Sequence, residues 1–273
     1  MSRRKFVALT TASLAGLAVA GGGYSLLEAG WVRIERRSLK IPRLPPAFAG
    51  TTVAFLADIH HGPYTSLDYV NRIVALANAL EPDLVLLGGD YVHQDGKYIA
   101  PCMAELAALR APLGVFAVQG NHDTWEGRQP TSDGLGAARI SELTNRGVWL
   151  ERNGARVRLG GVGDLWTHTQ DLDAALGDAK ESDACLLLSH NPDFTEDLTD
   201  PRVSMVFSGH THGGQVVFPF MGAPIVPSKY GQNYLNGLCQ GPLAQVFVSR
   251  GLGTITPPVR FCCRPEINLL TIA

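Results

Sequence analysis

The sequence predicts an α/β protein in which short buried strands alternate with amphipathic helices. Five continuously apolar runs of five or six residues are typical of strands that are buried on both faces. Helical spacing of apolar residues lies between them, beginning with a helix that Ser66 caps and that extends to Leu80. The five runs are Thr52–Ala57, Asp83–Leu87, Gly114–Val118, Ala184–Leu188 and Val203–Phe207.

The chain has 273 residues, a net charge of −2, and 45% hydrophobic and 18% charged residues. This composition is that of an ordinary globular protein, and the length is enough for one large domain or two small ones. Because no basic run follows the N-terminal region, a nucleic-acid partner is not expected. The five cysteines show no CxxC spacing, which excludes a zinc ribbon or a disulfide framework. A bridge among Cys239, Cys262 and Cys263 stays open for an exported protein.

The first 23 residues have the build of an export signal or an N-terminal anchor. Arg3 and Arg4 precede an apolar stretch of small residues, and Ala18-Val19-Ala20 fits a small-x-small cleavage site. The arginine pair resembles the twin-arginine signal; a Sec signal and an uncleaved anchor are the alternatives. We therefore expect an exported protein of the periplasm or cell envelope, with the twin-arginine export machinery as a partner.

Residues 24–50 are predicted to form a connecting segment and a first strand. Their basic residues could contact anionic lipid head groups at a membrane surface, although a solvated face is the simpler explanation. A single domain is predicted from residue 51 to residue 273. It contains two further helices, Ile99–Arg110 and Leu135–Arg146, and two closing strands, Gln245–Ser249 and Ile267–Ile272.

Each apolar run ends in polar side chains of the kinds that bind metals. Ligands of α/β sheets bind beyond the carboxyl ends of strands, so these side chains should meet. Carboxylate, imidazole and amide groups suit borderline divalent ions such as Mn²⁺, Fe²⁺ or Zn²⁺, and cysteine is absent, which argues against structural zinc. Seven ligands exceed the needs of one ion but suffice for two that share a carboxylate. They are Asp58, His60, Asp90, Asn121, His190, His210 and His212.

The order and spacing of these blocks resemble the calcineurin-like metallophosphoesterases. The blocks are Asp58-x-His60, Gly89-Asp90, Gly120-Asn121-His122-Asp123, His190 and Gly209-His210-x-His212. The resemblance implies a four-layer α/β/β/α sandwich of two mixed sheets. It also implies that Asp58, His60 and His212 hold one metal, that Asn121, His190 and His210 hold a second, and that Asp90 bridges them.

The resemblance further implies a metal-dependent phosphoesterase that uses two divalent ions, for which Mn²⁺ is expected. A hydroxide that bridges the ions would attack phosphorus in line. His122 is expected to deliver a proton to the leaving oxygen, and Asp123 is expected to orient the imidazole of His122.

The closing segment, Ser249–Phe261 followed by Arg264–Leu270, resembles the exported or membrane-associated branch of that family. This branch includes the YkuE and YaeI phosphodiesterases and UDP-2,3-diacylglucosamine pyrophosphatases of lipid A biosynthesis. The expected substrate is a phosphodiester or pyrophosphate, such as a lipid-linked nucleotide sugar. The alternatives are a general cell-envelope phosphodiesterase and a non-catalytic, metal-stabilised binding protein.

Overall fold

Two six-stranded sheets pack face to face in the computed structural model, which describes residues 2–273, and the side chains of these apart from residues 7–9 and 12–20. The strands are β1 Arg33–Leu39, β2 Thr52–Leu56, β3 Leu84–Leu87, β4 Val115–Ala117, β5 Ser141–Glu142, β6 Arg146–Arg152, β7 Ala155–Gly161, β8 Cys185–Leu188, β9 Val203–Ser208, β10 Gly237–Gln240, β11 Gln245–Val248 and β12 Glu266–Ile272. The α-helices are α1 Arg3–Glu28, α2 Leu67–Asn78, α3 Ile99–Leu106, α4 Asn121–Ala137 and α5 Leu172–Leu176.

Both sheets are mixed. The first has the order β1-β12-β2-β3-β4-β5, with only the β12–β2 pair antiparallel. The second has the order β10-β11-β9-β8-β7-β6, in which both edge pairs are antiparallel and the central strands are parallel. Parallel strands end at the same edge of their sheet, so the residues that follow β2, β3 and β4 lie side by side. The residues that follow β8 and β9 do the same in the second sheet.

Strand β2 shows how the sequence pattern builds the layers. Val53 and Phe55 face the second sheet, and the ring of Phe55 meets that of Phe207 edge-on at 5.8 Å. Ala54 and Leu56, pointing the other way, pack against α2 and α3. Because successive side chains of a strand alternate between faces, an uninterrupted apolar run supplies both an inner and an outer core.

The outer layers complete the predicted architecture. Helices α2, α3 and α4 cover one sheet, and α5 with the short helix Pro192–Glu196 covers the other. The predicted four-layer α/β/β/α sandwich of two mixed sheets is therefore confirmed. The Ser66 cap is confirmed as well, since its side chain accepts a hydrogen bond from the N–H of Tyr69.

The helix predicted over Leu135–Arg146 is wrong. Helix α4 ends at Ala137, Arg139 adopts a positive φ of 59°, and Ser141 and Glu142 pair with β4 as strand β5. The N–H of Leu143 donates to the carbonyl of Ala117 on that strand. This segment forms backbone hydrogen bonds with the edge strand β4. The spacing of apolar residues along the chain does not predict such a contact.

The N-terminal helix extends beyond the boundary predicted at residue 23. Residues 24–28, which the sequence assigned to a connecting segment, complete α1. The buried carboxylate of Glu28 accepts hydrogen bonds from the N–H groups of Cys262 and Cys263, at 2.9 and 2.7 Å, and ties this end of α1 to the domain. The side chains of the predicted cleavage site, residues 18–20, lie outside those described.

Among the residues that were described, none of the helices combines the length and apolarity needed to cross a bilayer. All five cysteines carry free thiols in this structure.

Candidate metal centre

The structure brings the seven predicted ligands to one edge of the sandwich. Asp58 and His60 follow β2, Asp90 follows β3, and Asn121 opens α4 directly after β4. His190 follows β8 and His210 and His212 follow β9, so both sheets contribute to the same site. All seven side chains are buried, with at most 4% of their surface exposed.

Asp58, His60 and His212 form the first cluster. The Nε2 atoms of His60 and His212 are 3.0 Å apart, and Oδ1 of Asp58 is 3.8 Å from Nε2 of His212. Two imidazole nitrogens directed at each other inside a protein suit a shared cation, since their lone pairs otherwise face one another.

Asp90, His190 and His210 form the second cluster. Oδ2 of Asp90 is 3.2 Å from Nε2 of His190 and 3.4 Å from Nε2 of His60. Nε2 of His190 is also 3.3 Å from Nδ1 of His210. One carboxylate oxygen therefore lies between the two clusters, which is the position of a bridging ligand.

Asn121 lies beside this bridge. The N–H of the next residue, His122, donates to Oδ1 of Asp90 at 2.9 Å, which leaves Oδ2 of Asp90 for the clusters. The side-chain oxygen of Asn121 is buried and has no hydrogen-bond partner within the described part of the chain. An amide oxygen in that position can complete the second cluster.

The unsatisfied atoms fit divalent cations. Oδ2 of Asp58 is buried and, like the amide oxygen of Asn121, has no hydrogen-bond partner among the residues described; each such atom costs about 1–3 kcal/mol when nothing binds it. His190 is oriented by its Nδ1–H, which donates to the carbonyl of Gly88 at 2.7 Å and directs Nε2 towards the clusters. The carboxylate, imidazole and amide set suits Mn²⁺, Fe²⁺ or Zn²⁺.

The electrostatics keep His60, His210, His212 and Asp90 in their metal-binding forms, whereas burial raises the pKa of Asp58 to about 7. Burial lowers the pKa of His60 and His212 well below the ordinary value and that of His210 to about 3, which leaves these imidazoles neutral. Burial alone would raise the pKa of Asp90, but the neighbouring His190 holds it well below its usual range. Burial likewise opposes charge on His190, yet Asp90 raises the pKa of His190 well above its usual value, so a metal that binds Nε2 would displace a proton from this imidazole.

Five of the ligands have left-handed backbone, with φ between 50° and 68°: Asp58, His60, Asp90, His210 and His212. Each such residue costs of order 1–3 kcal/mol and persists only when its surroundings impose it.

Two glycines allow the backbone to pass close to the ligands. A Cβ atom on Gly209 would lie 2.5 Å from Oδ2 of Asp58, and one on Gly120 would collide with Oδ1 of Asp90.

The expectation that Asp123 orients His122 is wrong. Oδ2 of Asp123 accepts the N–H groups of Asp90 and Gly120, at 2.7 and 2.9 Å, and Oδ1 accepts that of Tyr91 at 2.8 Å. The carboxylate thus holds the backbone that carries Asp90. The half-buried His122 instead has its Nδ1 atom 3.3 Å from Nδ1 of His93.

Sequence reasoning assigned no role to His93 and none to Arg260. His93 forms a third group with His60 and His122 that could hold a metal. Arg260 is fully buried, and its guanidinium donates to carbonyl oxygens that include that of His212 at 3.4 Å. The sequence hints at a role for His93 only through its position three residues after Asp90. It gives no hint for Arg260, because Arg260 lies 48 residues from His212 along the chain.

A four-layer sandwich with two such clusters at its edge defines a metal-dependent phosphoesterase. The chain belongs to the calcineurin-like phosphoesterase family, whose sequence profile matches residues 51–214.

Similarity to individual relatives extends over the whole chain. The chain is 31% identical to the uncharacterised metallophosphoesterase YkuE of Bacillus subtilis, across 100% of this chain and 98% of that protein. It is also 31% identical to the phosphodiesterase YaeI of Escherichia coli, across 100% and 99%. An uncharacterised metallophosphoesterase of Aquifex aeolicus is 32% identical, across 94% and 97%. The predicted resemblance to YkuE and YaeI is confirmed.

Proposed function

We propose that this protein hydrolyses a phosphodiester or pyrophosphate bond with the help of two divalent cations. One observation carries the proposal: Oδ2 of Asp90 lies 3.4 Å from Nε2 of His60 and 3.2 Å from Nε2 of His190, between two buried ligand clusters. The similarity to YaeI, which is named a phosphodiesterase, supports the diester specificity.

In this proposal Asp58, His60 and His212 hold one cation and Asn121, His190 and His210 hold the other. Asp90 is shared, and Mn²⁺ is the proposed ion. When bound, two such cations lower the pKa of a water molecule and neutralise charge on the phosphoryl oxygens.

His122 is proposed to carry the proton that the leaving oxygen needs. With Nδ1 placed against Nδ1 of His93, Nε2 is the ring atom that remains for this transfer. Asp123 contributes indirectly, because its carboxylate binds the backbone N–H groups that position Asp90.

A lipid-linked nucleotide sugar such as UDP-2,3-diacylglucosamine is the proposed substrate. Supporting this idea, an apolar cavity of about 170 Å³ adjoins His212 and is lined by Ile225, Ile255 and four prolines or glycines among other residues. Such a cavity could receive part of an acyl chain. A general cell-envelope phosphodiesterase is the second candidate, which the name of YaeI favours.

We also propose export through the twin-arginine machinery to the periplasm or cell envelope, on the strength of the Arg3-Arg4 pair before an apolar stretch. Strand β1 carries three exposed arginines, Arg33, Arg36 and Arg37, that could contact anionic lipid. Fractionation of cells that express the wild type or an Arg3→Lys, Arg4→Lys variant tests this. An unchanged envelope fraction in the variant would exclude twin-arginine export.

The catalytic proposal is tested with bis-p-nitrophenyl phosphate and p-nitrophenyl phosphate, with and without Mn²⁺. We expect Mn²⁺-dependent hydrolysis with preference for the diester. A preference for the monoester would contradict the diester specificity. Two bound metals without turnover of either compound would favour the non-catalytic binding protein.

A further inference from the structure

Two exposed tryptophans stand at the rim of the metal centre. The side chains of Trp125 and Trp166 are 56% and 48% exposed, a large apolar surface to leave in water. Their ring centroids are 6.5 Å apart and the ring planes differ by only 28°. Neither indole N–H donates a hydrogen bond to another described residue of the chain, so the polar edges of both rings are unused.

Both rings contact residues of the centre directly. Trp125 meets the ring of His122 edge-on, with centroids 4.8 Å apart. Trp166 meets the ring of His210 in the same manner at 4.3 Å. A group that is stacked on this pair would therefore lie beside His122 and His210, next to the proposed metal centre.

The backbone of both tryptophans is held by secondary structure or by hydrogen bonds. Trp125 lies in the first turns of α4, the helix that Asn121 opens. The loop that carries Trp166 is fixed by the buried Asp164, whose Oδ2 accepts the N–H groups of Trp166 and Thr167 at 2.9 and 3.1 Å. Little ordering is needed when a ligand stacks on rings that are already in place.

We propose that Trp125 and Trp166 form a stacking subsite for a planar aromatic ring of the substrate, namely a nucleobase. The near-parallel faces suit a flat ring, since base–aromatic stacking needs only two π-faces and tolerates any base. An acyl chain would be better placed in the apolar cavity beside His212. The inference rests on the proposed function, because it assigns the nucleoside part of a substrate to the same centre.

The test is a binding experiment that does not depend on turnover. Isothermal titration of the Mn²⁺-loaded protein would compare adenosine 5′-monophosphate with ribose 5-phosphate, which has the same sugar phosphate and no base. We expect the wild type to bind the nucleotide roughly tenfold or more tightly than ribose 5-phosphate. Trp125→Ala and Trp166→Ala should reduce that ratio towards one while the affinity for ribose 5-phosphate stays nearly unchanged.

Trp31→Ala is the matched control. Trp31 is also 56% exposed, but its ring faces Arg264 at 4.3 Å, and the ratio should stay at its wild-type value in this variant. Equal affinities for the two ligands in the wild type, or a loss of affinity for both in the tryptophan variants, would overturn the stacking subsite.

The proposed function can fail separately. If the wild type hydrolyses bis-p-nitrophenyl phosphate but binds the two ligands equally, the stacking subsite is wrong and the phosphoesterase proposal stands. If it binds the nucleotide preferentially but hydrolyses neither nitrophenyl ester, the catalytic proposal is the one that fails.

Discussion

Replacing Arg260 with methionine should destabilise the protein strongly, because the guanidinium connects three segments beneath the metal centre. Nη2 donates to the carbonyl oxygens of Arg250 and Gly253, at 2.8 and 2.7 Å, and Nε donates to Gly253 at 3.2 Å. Nη1 donates to the carbonyls of Cys263 and His212, at 3.1 and 3.4 Å. The side chain is fully buried.

The magnitude follows from what the substitution leaves behind. Methionine fills most of the space but donates to none of these oxygens, and each buried acceptor without a donor costs about 1–3 kcal/mol. The energies do not add, because removing the guanidinium also relieves the cost of burying its charge. We therefore expect a loss of about 3–5 kcal/mol in the free energy of unfolding, similar to breaking other buried charge networks.

Urea unfolding of the metal-free protein measures this loss. Arg260→Lys retains the charge with fewer donors and should fall between the wild type and Arg260→Met. Arg72→Met is the matched control, since the exposed Arg72 makes one hydrogen bond to the carbonyl of Gly30 and should change stability by less than about 0.5 kcal/mol. A loss below about 1 kcal/mol in Arg260→Met would refute the reasoning from the buried network.

Three further predictions concern the centre itself. His122→Ala should lower kcat on the diester by about 10²–10⁴-fold because it removes the proposed proton donor; metal content measured by mass spectrometry should be unchanged, and full activity would remove His122 from the mechanism. Asp90→Asn should reduce the content of both metals and the rise in Tm that Mn²⁺ produces in the wild type, because a ligand that binds only the folded state stabilises it; an unchanged rise would contradict the bridging position. Burial raises the pKa of Asp58 to about 7, above its unfolded value near 3.8, so the contribution of this carboxyl to the stability of the metal-free protein is present below about pH 4 and is lost as the pH rises through 7. The urea midpoint of the metal-free wild type should therefore fall as the pH rises from about 4 to 7, and Asp58→Asn should make this fall smaller. An identical dependence of the midpoint on pH in the variant would contradict a buried, protonated carboxyl at Asp58.

Much of the fold can be predicted from the sequence because a strand that is buried on both faces is continuously apolar, which is a pattern of only a few residues. Apolar runs such as Thr52–Ala57 bury both faces, and the polar residue after each run marks the strand end to within a residue or two. Where the apolar pattern is weaker, the secondary structure predicted from the sequence is wrong. Ser141 and Glu142 became a strand because the edge of β4 was open to them, although the spacing around Leu135 favoured a helix.

For the candidate site, the sequence is enough to predict which side chains meet, because parallel strands bring their carboxyl ends to one edge and residues of ligand type follow each strand. The contacts of the neighbouring groups become visible in the folded protein. Asp123 turns to the backbone N–H groups around Asp90 instead of to His122, His93 lies against His122, and Arg260 supports the carbonyl of His212. These contacts join residues that are distant along the chain, and the orientation of a side chain among several partners depends on three-dimensional packing that no local pattern records.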